Sequence, residues 1–131
     1  MIVLDTNALI WWISDLGKLS GKTKRVVEEA EKKKAIYISS ISVLEILTLI
    51  KKQRLNINTL TNNWLDKLEN LSYVHFVPVD NKIAAWSVEL VDLPDKDPAD
   101  RIIIATALNL GAKLVTSDKE ILNYPKIATI W

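Results

Sequence analysis

Short apolar runs alternate along this chain with segments of helix length, from Ile2 to Leu4 at one end to Ile127 to Ile130 at the other. The pattern is that of βαβ units on a parallel sheet, because parallel strands need a long crossover and a helix supplies one compactly. The expected class is therefore α/β. A length of 131 residues fits a single domain, residues 1–131, able to bury roughly two-thirds of its unfolded surface.

Read in order, Ile2 to Leu4 is a buried strand, and Ala8 to Ile13 opens a helix with Asn7 placed to cap it, until Gly17 breaks it. Residues 20 to 34 predict a second helix, in which Glu28 and Glu29 reach Lys32 and Lys33 four positions on. Ile36 to Ile38 is the next strand. Ser42 to Gln53 predicts a helix with Val43, Ile46, Leu47 and Ile50 on one face, and residues 59 to 70 another around Trp64, Leu65 and Leu68. Val74 to Val79 gives a strand and Lys82 to Leu90 a helix. After the turn-rich DLPDKD, Asp97 is a natural N-cap, Pro98 fits the first helical position and Asp100 the third, where a carboxylate favours the helix dipole. Arg101 to Leu110 is apolar nearly all round, hence buried, and ends at Gly111. Leu114 to Thr116 is a strand, Ser117 or Asp118 caps a short helix, and Ile127 to Ile130 closes the sheet. The chain shows no internal repeat.

Composition excludes more than it identifies. Without cysteine the chain has no disulfide framework and no thiolate metal site, which agrees with a cytoplasmic setting. No segment approaches the roughly 20 apolar residues of a membrane span, and the N-terminus lacks the pattern of a signal peptide. A net charge of +1 argues against coating nucleic acid through a global positive field. The charge is nevertheless uneven: 11 Lys/Arg against 7 Asp/Glu up to residue 67, then 6 against 9. The basic residues read most simply as solvated helix faces.

Five carboxylates fall beside these element boundaries: Asp5 in IVLDTNAL, Glu45 in SSISVLEIL, Asp97 and Asp100 in KDPADRIIIATAL, and Asp118 in KLVTSD. Each has an ordinary explanation as a helix cap, and Ser42 with Glu45 spells a capping box. Their coincidence carries the functional reading. Asp5, Glu45, Asp100 and Asp118 are expected at four βα junctions, and right-handed crossovers in a parallel sheet put all such junctions on one edge. Crowded carboxylates raise one another's pKa unless a cation joins them. Oxygen-only ligands, no cysteine, and a lone His75 inside a strand pattern favour Mg²⁺ or Mn²⁺ over Zn²⁺. Such a site suits phosphodiester hydrolysis, by activating water and neutralising charge on phosphorus. His75 reads as a packed or edge residue.

In VLDTNALIW, SSISVLEI, DPADRIIIATAL and LVTSD, in that order and spacing, the chain resembles a PIN domain, specifically the ribonuclease toxins of VapBC-type toxin-antitoxin pairs, over essentially its whole length. The resemblance implies a three-layer α/β/α sandwich with a central parallel sheet. It also implies Mg²⁺- or Mn²⁺-dependent endoribonuclease activity on RNA, a cognate antitoxin as partner, and a homodimer. The family's acidic positions fall on Asp5, Glu45, Asp100 and Asp118. Combined with position, that makes Asp5 and Asp100 the first choices for metal ligands. Asp118 would bind directly or through water, and Glu45 would orient or deprotonate the attacking water. Thr6, Asn7 and Thr116 are candidate phosphate or supporting contacts, with helix capping the alternative for Thr6 and Asn7. Asp97 is either ligand or cap, and Arg101 either pairs with a carboxylate, the favoured reading, or meets RNA.

Trp11 and Trp12 fill the core or anchor an interface on the far side of their helix. Two other phosphoryl chemistries fit poorly: a haloacid-dehalogenase-type phosphatase needs a second Asp where Asn7 stands, and a receiver domain needs paired acids after its first strand. A catalytically silent PIN fold acting as an RNA-binding or scaffold module is the alternative function.

Overall fold

The computed structural model describes residues 1–55, 63–90, 93 and 96–131. Five strands, β1 (Ile2–Leu4), β2 (Ile36–Ser39), β3 (Val74–Val77), β4 (Lys113–Val115) and β5 (Thr129–Ile130), form one sheet in the order β3-β2-β1-β4-β5, every pair parallel. Seven α-helices are described: α1 (Thr6–Ser14), α2 (Gly21–Lys32), α3 (Ser40–Lys51), α4 (Trp64–Glu69), α5 (Asn81–Glu89), α6 (Pro98–Leu110) and α7 (Lys119–Leu122), with a 3₁₀ turn at Leu16–Lys18. The sequence places each of the five strands, although β2, β3, β4 and β5 end or begin one to two residues away from the expected bounds. Residues 59 to 62 of the helix expected over 59 to 70 lie outside the described residues.

The sheet separates two apolar clusters, as a three-layer sandwich requires. Ile2, Leu4, Ile36, Ile38 and Val115 pack on one face with Ala8 and Leu9 of α1, Val27 of α2, Ile46 of α3 and Trp64 of α4. Val3 and Leu114 point to the other face, against Ile103, Ile104 and Ala107 of α6 and Ile121 of α7. Strand period fixes the division, since alternate residues face opposite sides. The register agrees: Ile2, Ile36 and Lys113 share one row, and Leu4, Ile38 and Val115 another. Residues 103 to 107 of α6 are all buried, as the all-round apolar pattern predicts. Gly111 ends the helix at φ +64, in the left-handed region where glycine is least strained.

Several local expectations are corrected. Asp5, and not Asn7, caps α1, accepting from the Ala8 amide at 2.7 Å, so the helix starts two residues early. The capping box at Ser42 and Glu45 does not form: α3 begins at Ser40 under a Ser39 cap, which accepts from the Ile41 amide at 3.2 Å. The buried arc of α3 runs through Ser42 and Ile46, with Leu49 and Ile50 partly covered, and leaves Leu47 48% exposed. That rotation turns Glu45 toward α1. The Glu29–Lys33 pair forms at 3.2 Å on an exposed face.

The aromatic residues are shared between core and surface. Trp11 packs against Trp131 with ring centroids 5.5 Å apart, and Trp12 meets Tyr73 edge-on at 6.5 Å while its indole N–H faces Glu31 at 3.3 Å. Both are partly buried against the core. His75 stacks on Tyr37 in edge strand β3, and its Nε2 lies 2.8 Å from the Lys34 carbonyl, the structural role expected of it. Among the described residues no helix is long and apolar enough to cross a membrane.

Candidate active site

Strand order creates the site. The chain runs outward from β1 through β2 to β3, then returns to add β4 on the other side of β1. The carboxyl ends of β1 and β4 therefore flank the switch point, where open α/β sheets bind ligands. Asp5 leaves β1 there with its amide on the Val115 carbonyl at 3.1 Å, and Thr116, Ser117 and Asp118 leave β4 beside it. A cleft of about 310 Å³ opens above them, lined by Asp5, Thr6, Asn7, Glu45, Leu49, Asp97, Asp100, Ser117, Asp118 and Ile121. All five candidate carboxylates line it. A larger cavity of about 500 Å³ lies at the opposite edge of the sheet among Lys22, Arg25, Lys33 and Lys113, away from these acids.

One of the four acids expected at βα junctions, Asp100, reaches the cleft by another route. Asp100 sits in the first turn of α6, which follows α5 with no strand between them among the described residues. Asp97 caps α6, accepting from the Asp100 amide at 2.9 Å, so its capping role is real even as it lines the cleft. Glu45 projects from the second turn of α3 and is held by the Thr6 hydroxyl at 2.5 Å. Thr6 Oγ1 is also 3.0 Å from Ser42 Oγ. A hydroxyl has one proton, so Thr6 gives it to the Glu45 carboxylate and Ser42 donates to Thr6. Thr6 is therefore a fixed buttress for Glu45 rather than a helix cap.

Thr116, fully buried, ties the two strand ends together. Its hydroxyl hydrogen-bonds to Asp5 and accepts from the Asp118 amide at 3.1 Å. Asp118 caps α7 through Oδ1, which accepts from the amides of Glu120 at 2.9 Å and Ile121 at 3.2 Å, while Oδ2 meets the Lys96 ammonium. Among the described residues Arg101 forms no carboxylate pair. Its guanidinium is spent on the backbone carbonyls of Ser87 and Lys96, both at 3.3 Å, Leu90 at 2.6 Å, and Leu93. It ties the end of α5 to the start of α6, sharing the Leu90 and Leu93 carbonyls with the main-chain amides of Leu93 and Lys96.

The electrostatics are those of an under-compensated acidic cleft. Burial raises the Asp5 carboxyl, opposed by Thr116 and the Ala8 amide and assisted by Asp118. Burial also raises Glu45, against the Thr6 hydrogen bond and with the help of Asp97 and Asp5. Asp100 is pushed to about 6, by burial first and then by Asp97, Glu45 and Asp118, with Lys96 working the other way. Asp118 goes down despite its burial, through the hydrogen bond from Lys96, the α7 amides and the Lys96 charge.

The donor set, all oxygen, fits a hard divalent cation such as Mg²⁺ or Mn²⁺. Among the described residues no three of the acids stand close enough to form a ready-made ion cage. Glu45 is drawn onto Thr6 and Asp118 onto Lys96. Sequence reasoning missed Lys96 and gave Ser42 the wrong task. A lysine between two aspartates in DKD, just ahead of the helix carrying Asp100, was the available signal for Lys96.

A parallel sheet with carboxylates from β1, α3, α6 and the end of β4 at its switch point defines a PIN-type α/β/α protein. The PIN domain family model matches residues 2–127, and the chain belongs to the PIN-domain family. It is 30% identical to ribonuclease VapC22 of Mycobacterium tuberculosis over 132 aligned residues, covering 99% of this chain and 98% of that protein. Among solved structures, VapBC2 of Rickettsia felis bound to a promoter DNA fragment matches with a TM-score of 0.74 at 21% identity, covering 99% of this chain and 98% of that one. FitAcB of Neisseria gonorrhoeae matches with a TM-score of 0.67 at 26% identity, covering 100% and 97%.

Proposed function

We propose that the chain is a divalent-metal-dependent endoribonuclease and the toxin of a type II toxin-antitoxin pair. The observation that carries this reading is the meeting of Asp5, Glu45, Asp100 and Asp118 in one cleft at the β1/β4 switch point. The likeness to a protein named as a ribonuclease supports RNA as the substrate, and a match to a structure described as a toxin-antitoxin complex supports an antitoxin partner.

Asp5 and Asp100 would hold Mg²⁺ or Mn²⁺, with Asp118 as a further ligand, direct or through water. When bound, the cation supplies charge neutralisation at the scissile phosphate and a more acidic water. Glu45 takes the proton of the water that attacks phosphorus as the bond to the leaving oxygen breaks. Its raised pKa suits a base at neutral pH, and the Thr6 hydroxyl fixes one carboxylate oxygen so that the other serves the water. Thr116 keeps Asp5 and Asp118 in register across the two strands. Asn7, exposed at the rim, is placed to meet a phosphate oxygen. One domain over residues 1–131, a homodimer and a cytoplasmic setting complete the proposal.

The test is cleavage of RNA by purified protein with Mg²⁺ or Mn²⁺, with EDTA, and by the Asp100→Asn variant. Cleavage only by the metal-supplied wild type supports the reading. Undiminished cleavage in EDTA would refute the metal mechanism, and RNA binding without cleavage under any metal would favour the silent PIN-fold module.

A further inference from the structure

Lys96 stands in the connection between α5 and α6, at the rim of the acidic cleft. Its ammonium contacts Asp118 Oδ2 and lies 3.6 Å from a Glu120 oxygen, and its side chain is 10% exposed. Lysine is seldom buried unless paired, and fixing its long stem costs conformational entropy. A lysine held this closely has a specific electrostatic partner to serve. Arg101, five residues on, gives its guanidinium to backbone carbonyls and so does not relieve the cleft acids through hydrogen bonds.

Both oxygens of Asp118 are engaged. Oδ1 accepts two amides of α7, and Oδ2 accepts the Lys96 ammonium. Oδ1 is filled by its two amides, so a cation binding Asp118 directly comes to Oδ2, where the Lys96 ammonium already sits and its positive charge opposes the approach. We infer that Lys96 is the built-in counter-ion of the acidic cleft: it neutralises Asp118 when no divalent cation is bound, and the incoming cation displaces it. Lys96 is thus a positioning residue that sets how tightly the site holds its metal. The inference rests on the proposed reading of the cleft as a divalent-cation site. The electrostatics agree in direction, since Lys96 opposes the rise of the Asp100 pKa as well as lowering that of Asp118.

Mn²⁺ binding to the metal-free full chain, followed by electron paramagnetic resonance or calorimetry, tests it with wild type, Lys96→Met and Lys96→Arg. Asp100→Asn, expected to lose binding, confirms that the ion measured sits in the cleft. Lys96→Met should bind Mn²⁺ about fivefold or more tightly than wild type at low salt, because a competing positive charge has gone. Lys96→Arg, which keeps the charge, should stay near wild type. In EDTA the Met variant should melt below wild type, and saturating Mn²⁺ should close the gap. Lys96→Gln, which keeps a donor to Oδ2 without the charge, gives the same readout should the Met variant not fold. Equal or weaker Mn²⁺ binding by the uncharged variants overturns the counter-ion role while leaving the metal site standing. No Mn²⁺ binding by any of the proteins removes the metal site and this inference together.

Discussion

Asp100 stands in the first turn of α6 with Asp97, Glu45 and Asp118 around it, and partial burial in that company raises its carboxyl pKa to about 6. A carboxyl whose pKa is higher in the folded protein than in the unfolded chain binds protons more readily when folded. Its contribution favours the fold below the ordinary value of 3.8 and is lost as pH rises through about 6. Asp5 and Glu45 are raised as well and act in the same direction, whereas Asp118 is lowered and changes only in more acid solution. The metal-free protein should therefore melt at higher temperature at pH 5 than at pH 7.5, a comparison that differential scanning calorimetry in EDTA makes directly. Mn²⁺ should show the opposite dependence. It competes with the proton on Asp100, so its affinity should weaken by roughly tenfold per pH unit below that pKa. Thr6→Val gives a second residue-level prediction. Removing the hydroxyl takes away the hydrogen bond that restrains the Glu45 pKa, so the acid limb of the cleavage rate should move to higher pH. An unmoved limb would show that Glu45 is not the base.

At the scale of the element, α6 separates two roles that the DPADR stretch leaves open. Asp97 caps the helix through the Asp100 amide and also lines the cleft. Asn caps as well as Asp, so Asp97→Asn should keep the helix and Mn²⁺ binding, while Asp97→Ala should cost about 1 kcal/mol in chemical denaturation. Loss of Mn²⁺ binding in the Asn variant would make Asp97 a ligand. The cap was legible because its chemistry is local: an acid, then proline at the first helical position. The partner of Arg101 was not legible, because its acceptors are carbonyls at Ser87, Leu90, Leu93 and Lys96. Main-chain acceptors carry no sequence signature. The capping box at Ser42 and Glu45 failed for a related reason. Ser39 offered an equally good cap three residues earlier, and burial of Ser42 and Ile46 against the core set the rotation of α3.

At the scale of the whole molecule, the sheet and its two apolar layers hold the cleft open at the switch point. Ile104, fully buried on α6 in the layer below Val3 and Leu114, joins the site helix to the sheet. Ile104→Ala should destabilise by about 2 to 5 kcal/mol in urea denaturation, since deletion leaves a cavity as well as losing burial. Such a loss should lower RNA cleavage only through the unfolded fraction, so activity per folded molecule should stay near wild type; a larger fall would mean that α6 packing tunes the site itself. The sequence by itself determined the alternation of strands and helices, the stop at Gly111, the buried α6 and the five acids that meet in the cleft. These follow from periodicity and local chemistry, which act between near neighbours. Only the tertiary structure decided the strand order that puts Asp5 beside Asp118, the arrival of Asp100 from a helix-to-helix connection, the Thr6 hold on Glu45 and the contact of Lys96 with Asp118. Those depend on which distant surfaces bury each other, and on unpaired charges finding partners far along the chain, neither of which spacing records.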